Sequence, residues 1–357
     1  MTRTRLVHAL IEVPYAPIIG RTLKAYKHFS MVRKIDWESQ IGRRLRLQDL
    51  HVFFTVVQRG SMAKAAAHLG VSQPAVSEVI AGLEHALGVR LLDRSPRGVE
   101  LTTYGRALLK RSRVVFDELK QGIRDIEFLA DPTVGELRIG CPESVATSIL
   151  PPVIQRFSQQ YPRVVLRVTE VVSPTLELPE LRERSLDVVL ERLVRPLGDE
   201  DNDLDVEFLF DDWIAVAAGK QSPWARKRGI ELAELVDETW ILTPPGSWNY
   251  VNVAEAFRAR GLDIPKICSM TFSVHLRAYL LASGPFISTF ASSFLRCNAD
   301  RLSLSVLPVD FPVRPWPVAV FTLKNRILNP VAQLFIDHLR TFTRSMSAEL
   351  KPEEKSA

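Results

Sequence analysis

The chain has 357 residues, of which 46 are Lys or Arg and 41 are Asp or Glu, giving a formal net charge of +5. This length is sufficient for two or three domains with cores of their own. The three cysteines lie far apart, without a CxxC pair or a nearby histidine spacing, so the sequence indicates neither a disulfide framework nor a zinc site. We therefore expect no metal and no cofactor.

The first 45 residues form a basic extension that we expect to be poorly ordered. Glu12 and Pro14 interrupt its apolar run, so it lacks the continuous core of a secretory signal, and we expect a cytoplasmic protein. Met31 opens a stretch typical of a natural start, which leaves open whether residues 1–30 are translated.

Residues 61–87 predict two short helices joined by a tight turn. Ser61 is a favoured N-cap, and Gly70 suits a helix end that requires a positive φ. Ser72 caps the second helix, which carries Pro74 in its first turn. Its inward stripe has helical spacing and is formed by Val76, Ile80, Leu83 and Leu87.

The flanking segments complete this predicted domain. Apolar residues at helical spacing between positions 47 and 57 predict a supporting helix. Residues 91–102 predict two short strands around a turn at Ser95-Pro96-Arg97-Gly98, which places Arg97 at a hairpin tip beside Arg94. A cationic tip of this kind is suited to contact with phosphate.

This combination is typical of a winged helix-turn-helix that reads the major groove of DNA. A compact three-helix bundle without that function is the alternative, and the caps, turn and hairpin together disfavour it. Gln73, Ser77 and Glu78 lie near the start of the second helix, on the side opposite the apolar stripe. The predicted DNA-binding residues are Ser61, Ser72, Gln73, Pro74, Ser77, Glu78, Arg94 and Arg97.

Residues 103–131 predict a long helix with an apolar seam at alternating spacings of four and three residues. At about 1.5 Å per residue this helix extends roughly 40 Å, too long to be buried by one small domain. A second copy of the chain is the expected partner, and a single helix packed on its own domain is the alternative. We assign dimerisation to Leu108, Val115, Leu119 and Ile126.

From residue 132 onward, short apolar strands alternate with helices, which predicts an α/β region with parallel sheets. Strands are expected at 137–140, 164–168, 186–190, 213–217, 240–243, 285–289 and 318–322, and helices at 148–160, 252–260, 273–283 and 330–343. Ligands of parallel sheets bind beyond the carboxyl ends of the strands, where hydroxyls and backbone N–H groups suit carboxylates, phosphates or sugar hydroxyls. Candidate ligand-binding residues are Glu143, Ser144, Val145, Thr243, Ser247, Ser288 and Thr289. Ordinary helix capping explains each of them equally well when taken singly.

The sequence contains no recognisable catalytic constellation. GxSxG, HExxH and Gly-rich phosphate motifs are lacking, so we do not expect an enzyme. The uncharged run at 278–295 contains Gly284-Pro285 and several hydroxyl residues, so a buried helix, turn and strand are favoured over a membrane span.

The segment from LQDLHVFF at residue 47 to RGVELT at residue 102 resembles the N-terminal winged helix-turn-helix of LysR-type transcriptional regulators. The resemblance is dense from residue 46 to about 129 and extends over the remainder in length and layout. It implies a DNA-binding domain at 46–102, a linker and dimerisation helix at 103–131, and an α/β effector domain of two subdomains like a periplasmic binding protein. The subdomains are expected at 132–208 with 309–345, and at 209–308, followed by a tail at 346–357.

The resemblance also implies a function. We expect a sequence-specific regulator that binds an inverted-repeat operator in double-stranded DNA as a homodimer or homotetramer, without a membrane partner. A small-molecule effector is expected in the cleft between the subdomains. A solute-binding transport protein and an enzyme built on the rear domains are the alternatives; the first would require an export signal and the second a catalytic group. For residues 1–45, a basic arm on DNA is the alternative to an artefact of an upstream start.

Overall fold

The computed structural model describes residues 45–95, 98–171, 176–311 and 314–347. The basic extension and the C-terminal tail predicted from the sequence lie almost entirely outside these ranges. The chain divides into two compact units: an N-terminal unit that ends at Ser112 and a C-terminal unit that begins at Arg113.

From residue 45 onward, the N-terminal unit has three helices and a two-stranded hairpin, followed by the start of a long helix. Its elements are α1 (Leu47–Arg59), α2 (Met62–Leu69), α3 (Gln73–Leu87), β1 (Leu92–Ser95), β2 (Gly98–Leu101) and α4 (Thr103–Ala130). The strands β1 and β2 are antiparallel. Phe53 and Val56 of α1 pack with Ile80 and Leu83 of α3 in one core. The predicted winged helix-turn-helix is therefore confirmed.

The C-terminal unit contains two five-stranded sheets. The strands of the first sheet are β3 (Val134–Cys141), β4 (Arg163–Glu170), β5 (Val188–Arg192), β6 (Leu204–Asp212) and β12 (Trp316–Leu323). Those of the second are β7 (Ile214–Gly219), β8 (Thr239–Leu242), β9 (Lys266–Met270), β10 (Phe286–Ala291) and β11 (Leu304–Val306). Their spatial orders are β4-β3-β5-β12-β6 and β11-β7-β10-β8-β9.

Helices cover both sheets, and we call each sheet with its helices a lobe. The first lobe carries α5 (Glu143–Ala146), α6 (Leu150–Gln160), α7 (Pro179–Arg182) and α11 (Pro330–Ser347). The second carries α8 (Trp248–Arg258), α9 (Val274–Ser283) and α10 (Ser292–Asn298). Short 3₁₀ turns occur at Asp199–Asp201, Pro223–Arg226 and Leu232–Leu235. Phe157 of α6 and Phe335 of α11 are fully buried in the core of the first lobe.

The sheets differ from the sequence prediction in polarity and extent. They are mixed rather than parallel, because β12 is antiparallel to β5 and β6, and β7 is antiparallel to β10 and β11. Strand β6 continues to Asp212 in the first sheet, so the chain leaves that sheet after Asp212 and not near Phe208. Strands β6, β9 and β11 were not predicted. All three are edge strands, and their mixed polar and apolar sequences are those of half-exposed edges.

A cluster of buried charges packs the second half of α4 against the first lobe. Asp187 accepts hydrogen bonds from Arg138 Nη2 at 2.6 Å and from Arg326 Nη2 at 2.8 Å. Asp117 of α4 accepts from the same Arg326 Nη2 at 2.9 Å and from Arg184 Nη1 at 2.9 Å. Burial acts to raise the pKa of Asp187, but hydrogen bonds and charge from Arg138 outweigh it and hold that pKa below its usual value. The cluster therefore anchors α4 through paired charges.

We expect Asp187→Ala to lower the free energy of unfolding of the C-terminal unit by about 3–5 kcal/mol, because Arg138 and Arg326 would lose a buried partner. Urea titration of the full chain gives this quantity. The control is Asp300→Ala, which removes a fully exposed partner of Lys220 and should hardly move the midpoint. Equal effects of the two substitutions would contradict the anchoring role of the cluster.

Candidate functional site

The first candidate site is the exposed start of α3, which two serine caps position. Ser61 Oγ accepts a hydrogen bond from the backbone N–H of Lys64 at 3.2 Å, so α2 begins beside it. Ser72 Oγ accepts from Ala75 N–H at 3.3 Å and begins α3. Gly70 ends α2 with a φ of 67°, a conformation in which glycine is favoured. Local sequence signals thus fix the turn between the two helices.

The first turns of α3 present polar side chains to solvent. Gln73, Pro74 and Glu78 are exposed and Ser77 is half-buried, whereas Val76 faces the core. The exposed side therefore offers an amide, a carboxylate and a hydroxyl at the start of the helix, where a major-groove helix contacts base edges.

The hairpin is attached to the helices through backbone groups. Glu84 of α3 accepts hydrogen bonds from the N–H groups of Leu91 at 2.7 Å and Leu92 at 3.1 Å. Gly98 approaches the turn between α1 and α2 so closely that a Cβ would lie 2.6 Å from the carbonyl oxygen of Gly60. A side chain at this position, with a φ of 130°, would force the hairpin away.

The two cationic residues predicted at the hairpin are described only in part. Arg97 lies outside the described residues. Of Arg94 the structure describes the backbone, which pairs with Val99 across the hairpin. Contact of their side chains with phosphate stays a prediction.

The second candidate site is a cleft between the lobes of the C-terminal unit, with an empty volume of about 740 Å³ including open solvent at its mouth. Both lobes contribute to its lining, from the ends of their strands and the starts of their helices. The lining residues are Pro142, Glu143, Ser144, Glu170, Glu191, Arg192, Val194, Thr243, Ser247, Trp248, Asn249, Phe272, Val274, Arg277 and Ala291. Glu143, Ser144, Thr243 and Ser247 of the predicted set are thus brought together.

Three residues of the predicted set do not line the cleft. Val145 is fully buried in the core of the first lobe. Ser288 and Thr289 lie inside β10, which continues two residues past its predicted end, and both are fully buried. Ser288 donates to the carbonyl of Ile241 at 2.6 Å and Thr289 donates to Asn249 Oδ1 at 2.7 Å. These hydroxyls support the lining residues from behind.

The two arginines of the cleft were not predicted from the sequence. Arg192 ends β5 and is 2% exposed, and its Nη2 donates to Asp212 at 2.8 Å while its Nη1 donates to Ser144 at 2.9 Å. Arg277 lies in α9 and is 4% exposed. A charged pair, Glu191-Arg192, directly after the apolar run VVL was the available signal for Arg192. The position of Arg277 depends on contacts with β10, which local sequence does not show.

Glu143 connects the two lobes across this cleft. Its carboxylate accepts hydrogen bonds from the backbone N–H groups of Val274 at 2.6 Å and His275 at 3.1 Å, and contacts the His275 ring. A residue of α5 in the first lobe therefore caps α9 in the second. Burial acts to raise the pKa of Glu143, but these hydrogen bonds hold it below its usual value.

Glu191 is the buried carboxyl of the cleft. It is 5% exposed, and its Oε1 accepts the backbone N–H of Arg192 at 2.8 Å. Burial raises its pKa to about 7, against the lowering effect of Arg192. This carboxyl therefore changes charge near neutral pH.

The residues predicted to mediate dimerisation have two different environments. Leu108 packs against the core of the N-terminal unit. Val115, Leu119 and Ile126 are 40%, 47% and 68% exposed. The exposed row continues through Gly122, so the C-terminal part of the predicted seam is uncovered in the single chain.

Metal-binding clusters and membrane-spanning helices are absent from the described ranges. Within them no group of three or more His, Cys, Asp or Glu side chains is arranged to hold a metal ion. None of the helices described is both long and apolar enough to cross a membrane. Cys141 is buried, and burial raises the pKa of its thiol to about 12, whereas Cys268 and Cys297 are exposed.

Comparison with known proteins matches both units. Residues 47–106 match the sequence model of the bacterial regulatory helix-turn-helix protein, lysR family, and residues 130–344 match the LysR substrate binding domain. The HTH-type transcriptional regulator GbpR of Azospirillum brasilense is 28% identical over 83% of this chain and 86% of its own. The HTH-type transcriptional regulator TdcA of Escherichia coli (strain K12) is 29% identical over 84% and 93%.

Solved structures of similar fold include full-length OxyR C199D from Pseudomonas aeruginosa, with a TM-score of 0.61 at 23% identity. It covers 87% of this chain and 99% of its own. Full-length CbnR complexed with its target DNA has a TM-score of 0.59 at 21% identity, over 83% and 99%.

The buried carboxyl at Glu191 predicts a specific pH dependence. The pKa of this carboxyl is about 7 in the folded chain and about 4.5 in the unfolded chain. Between pH 4.5 and 7 the folded state therefore holds a proton that the unfolded state has released. The contribution of Glu191 to the free energy of unfolding is fully present below pH 4.5 and falls by about 3 kcal/mol as the pH rises to 7. We expect Glu191→Gln to remove that loss. In urea titrations, the free energy of unfolding of the variant should therefore rise relative to that of the wild type as the pH increases from 5 to 8. Parallel pH profiles would contradict the raised pKa.

Glu143→Gln is the matched comparison, and its effect on stability should have the opposite pH dependence. Because the pKa of Glu143 is lowered on folding, its contribution is present above the unfolded pKa and is lost as pH falls through the folded one. This variant should therefore be less stable than the wild type at neutral pH and approach it in acid.

Proposed function

This chain belongs to the LysR family of transcriptional regulators, and from that premise we propose that α3 reads an inverted-repeat operator while a small molecule in the cleft controls the regulator. The observation that carries this proposal is the capped α3 with an exposed polar start, followed by a hairpin. A cytoplasmic location, where the DNA of a bacterium lies, belongs to the same proposal.

Base reading is assigned to Gln73 first. Its side chain is exposed in the first turn of α3, and an amide pairs with adenine through a donor and an acceptor. Ser77 and Glu78 lie one turn further along the helix. The hydroxyls of Ser61 and Ser72 accept backbone N–H groups, so we assign them to positioning the two helices.

Dimerisation is assigned to the exposed row on α4. Val115, Leu119 and Ile126 lie at spacings that repeat along one side of a helix of 28 residues, and Gly122 leaves room for close approach. The opposite side of the same segment is occupied by Asp117 in the buried charge cluster. A second copy of α4 provides the matching apolar row, and a twofold dimer matches an inverted repeat.

The cleft is assigned to the effector. It is lined by the ends of strands and starts of helices from two lobes, so a bound molecule that contacts both lobes favours one arrangement of them over another. The bound molecule can influence the regulator only as far as its affinities for the two arrangements of the lobes differ.

The base-reading assignment predicts that Gln73→Ala lowers affinity for the operator by about 1–3 kcal/mol while binding to random duplex DNA stays nearly the same. The operator is obtained by selection from random duplexes with the full chain, and affinities are measured by fluorescence anisotropy at one fixed salt concentration. Gln48→Ala makes the same exposed change at the start of α1 and should leave both affinities unaltered. An equal loss on operator and random DNA would show that Gln73 does not read bases.

The dimer assignment predicts that Leu119→Asp shifts the protein toward monomer, because an unpaired carboxylate would be buried in the α4 contact. Sedimentation velocity over a range of protein concentrations measures the shift. Lys120→Asp introduces the same carboxylate at the next, exposed position and should preserve the dimer. If the Leu119 variant keeps the wild-type association, the C-terminal unit and not α4 holds the subunits together.

A further inference from the structure

Arg277 is a buried guanidinium that forms no ion pair with an acidic side chain of the described ranges. Its Nη1 donates to the carbonyl of Thr289 at 2.6 Å and to Ser288 Oγ at 3.3 Å. Its Nε is buried and finds no hydrogen-bond partner among the described residues. The guanidinium carbon lies 4.6 Å from the centre of the Phe290 ring. Among the described residues, the hydrogen bonds and the ring contact of this cation are thus all with neutral groups, although it lines the cleft.

The other arginine of the cleft, Arg192, has the acidic partner that Arg277 lacks among the described residues. Arg192 is equally buried, but it is paired with the carboxylate of Asp212 at 2.8 Å. An isolated buried charge destabilises a fold, whereas a partner of opposite charge offsets much of that penalty. Burial lowers the pKa of Arg277 to about 10, so the group still carries its charge at neutral pH.

The acidic residues of the cleft do not supply the missing charge. The charge of Glu143 influences Arg277, but its two oxygens are occupied by the first turn of α9 and by His275. Glu191 accepts the backbone N–H of the next residue of its own strand, Arg192. Among the described residues, no carboxylate oxygen lies within ion-pair distance of Arg277. The cleft therefore has one unpaired positive charge.

The surroundings of Arg277 limit the anion that fits. Glu143 and Glu170 line the same cleft, so a ligand with two or more negative charges would be repelled. Trp248 and Phe272 provide apolar faces, with Phe272 43% exposed toward solvent. A ligand with one negative charge and a flat apolar body complements both features.

Building on the proposed function, we propose that the effector of this cleft is a monocarboxylate with a flat apolar body, and that Arg277 is the residue that recognises its carboxylate. The ligand oxygen accepts from Nη2 of the guanidinium, which donates no hydrogen bond to the described residues, and the apolar body packs against Trp248 and Phe272. The ligand thereby supplies the partner that Arg277 lacks in the ligand-free chain.

The test compares three probes that share a phenyl ring, on the full chain at constant ionic strength: phenylacetate, its neutral isostere phenylacetamide, and phenyl phosphate with its second negative charge. We expect phenylacetate at 10 mM to raise the melting temperature by roughly 3 °C in a saturable manner. The amide should give no shift, and phenyl phosphate should bind more weakly than phenylacetate by calorimetry. The inference is overturned if phenylacetate gives no shift, if acid and amide bind equally, or if the phosphate binds more tightly.

A pair of variants tests Arg277 itself. Arg277→Met should lower phenylacetate affinity at least tenfold, and without ligand it should melt at the same or a higher temperature than the wild type, because an unpaired buried charge has been removed. Arg192→Met is the matched control at a buried arginine that has a partner, and it should melt lower because Asp212 is left unpaired. Unchanged phenylacetate affinity in Arg277→Met, or a drop in melting temperature as large as that of Arg192→Met, would refute the role of Arg277.

These measurements contain no DNA, so they separate the two proposals. Failure of operator selection with the wild-type chain would count against the proposed function and leave the anion site intact. Should Arg277→Met not fold, the comparison of acid and amide on the wild-type protein still decides the inference.

Discussion

The geometry of the C-terminal unit depends on the carboxylate of Asp212. It ends β6 in the first sheet, at the point where the chain leaves for the second. One of its oxygens accepts from Arg192 at 2.8 Å and from the Ser293 hydroxyl at 2.7 Å, and the other accepts from Ser293 N–H at 3.0 Å. Because Ser293 lies in the first turn of α10, a single 1% exposed side chain connects a strand of the first lobe, a helix of the second and the arginine of the cleft. Removing either charge of this pair would leave the other buried without compensation.

The same physical rule explains the contrast among the buried arginines of this unit. Arg192 has Asp212, and Arg326 has both Asp117 and Asp187. Replacement of such pairs by apolar residues of similar volume is often neutral or stabilising, so stability alone does not account for their presence. In the cluster at α4 the charges orient a helix that has to present an apolar row on its other side. Arg277 departs from the rule, because its hydrogen bonds go to a hydroxyl and a carbonyl and not to a carboxylate.

The parts of the structure that the sequence predicted are those that local interactions decide. The bounds of α2 and α3 follow from the hydroxyls of Ser61 and Ser72, each of which bonds a backbone group three residues away. Strand polarity and the edge strands were not predictable, since they depend on pairings between distant segments, such as β12 with β6. The predicted cleft residues divide in the same way. Ser247 caps α8 and lines the cleft, whereas the inward position of Ser288 follows only from the packing of β10 between β7 and β8.

Glu143 gives the cleft a means of responding to an anion. Its carboxylate belongs to the first lobe and satisfies backbone N–H groups at the start of α9 in the second, so it holds the lobes in the arrangement described here. Arg277 lies in the first turn of the same helix, within the range of its charge. A carboxylate that pairs with Arg277 places a second negative charge near Glu143, and the repulsion between them weakens the link to α9. The contact of the ligand with Arg277 opposes this loss. The balance of these two effects sets the difference in ligand affinity between the arrangement in which Glu143 links the lobes and one in which that link is released. This difference in affinity limits how far the ligand can shift the populations of the two arrangements.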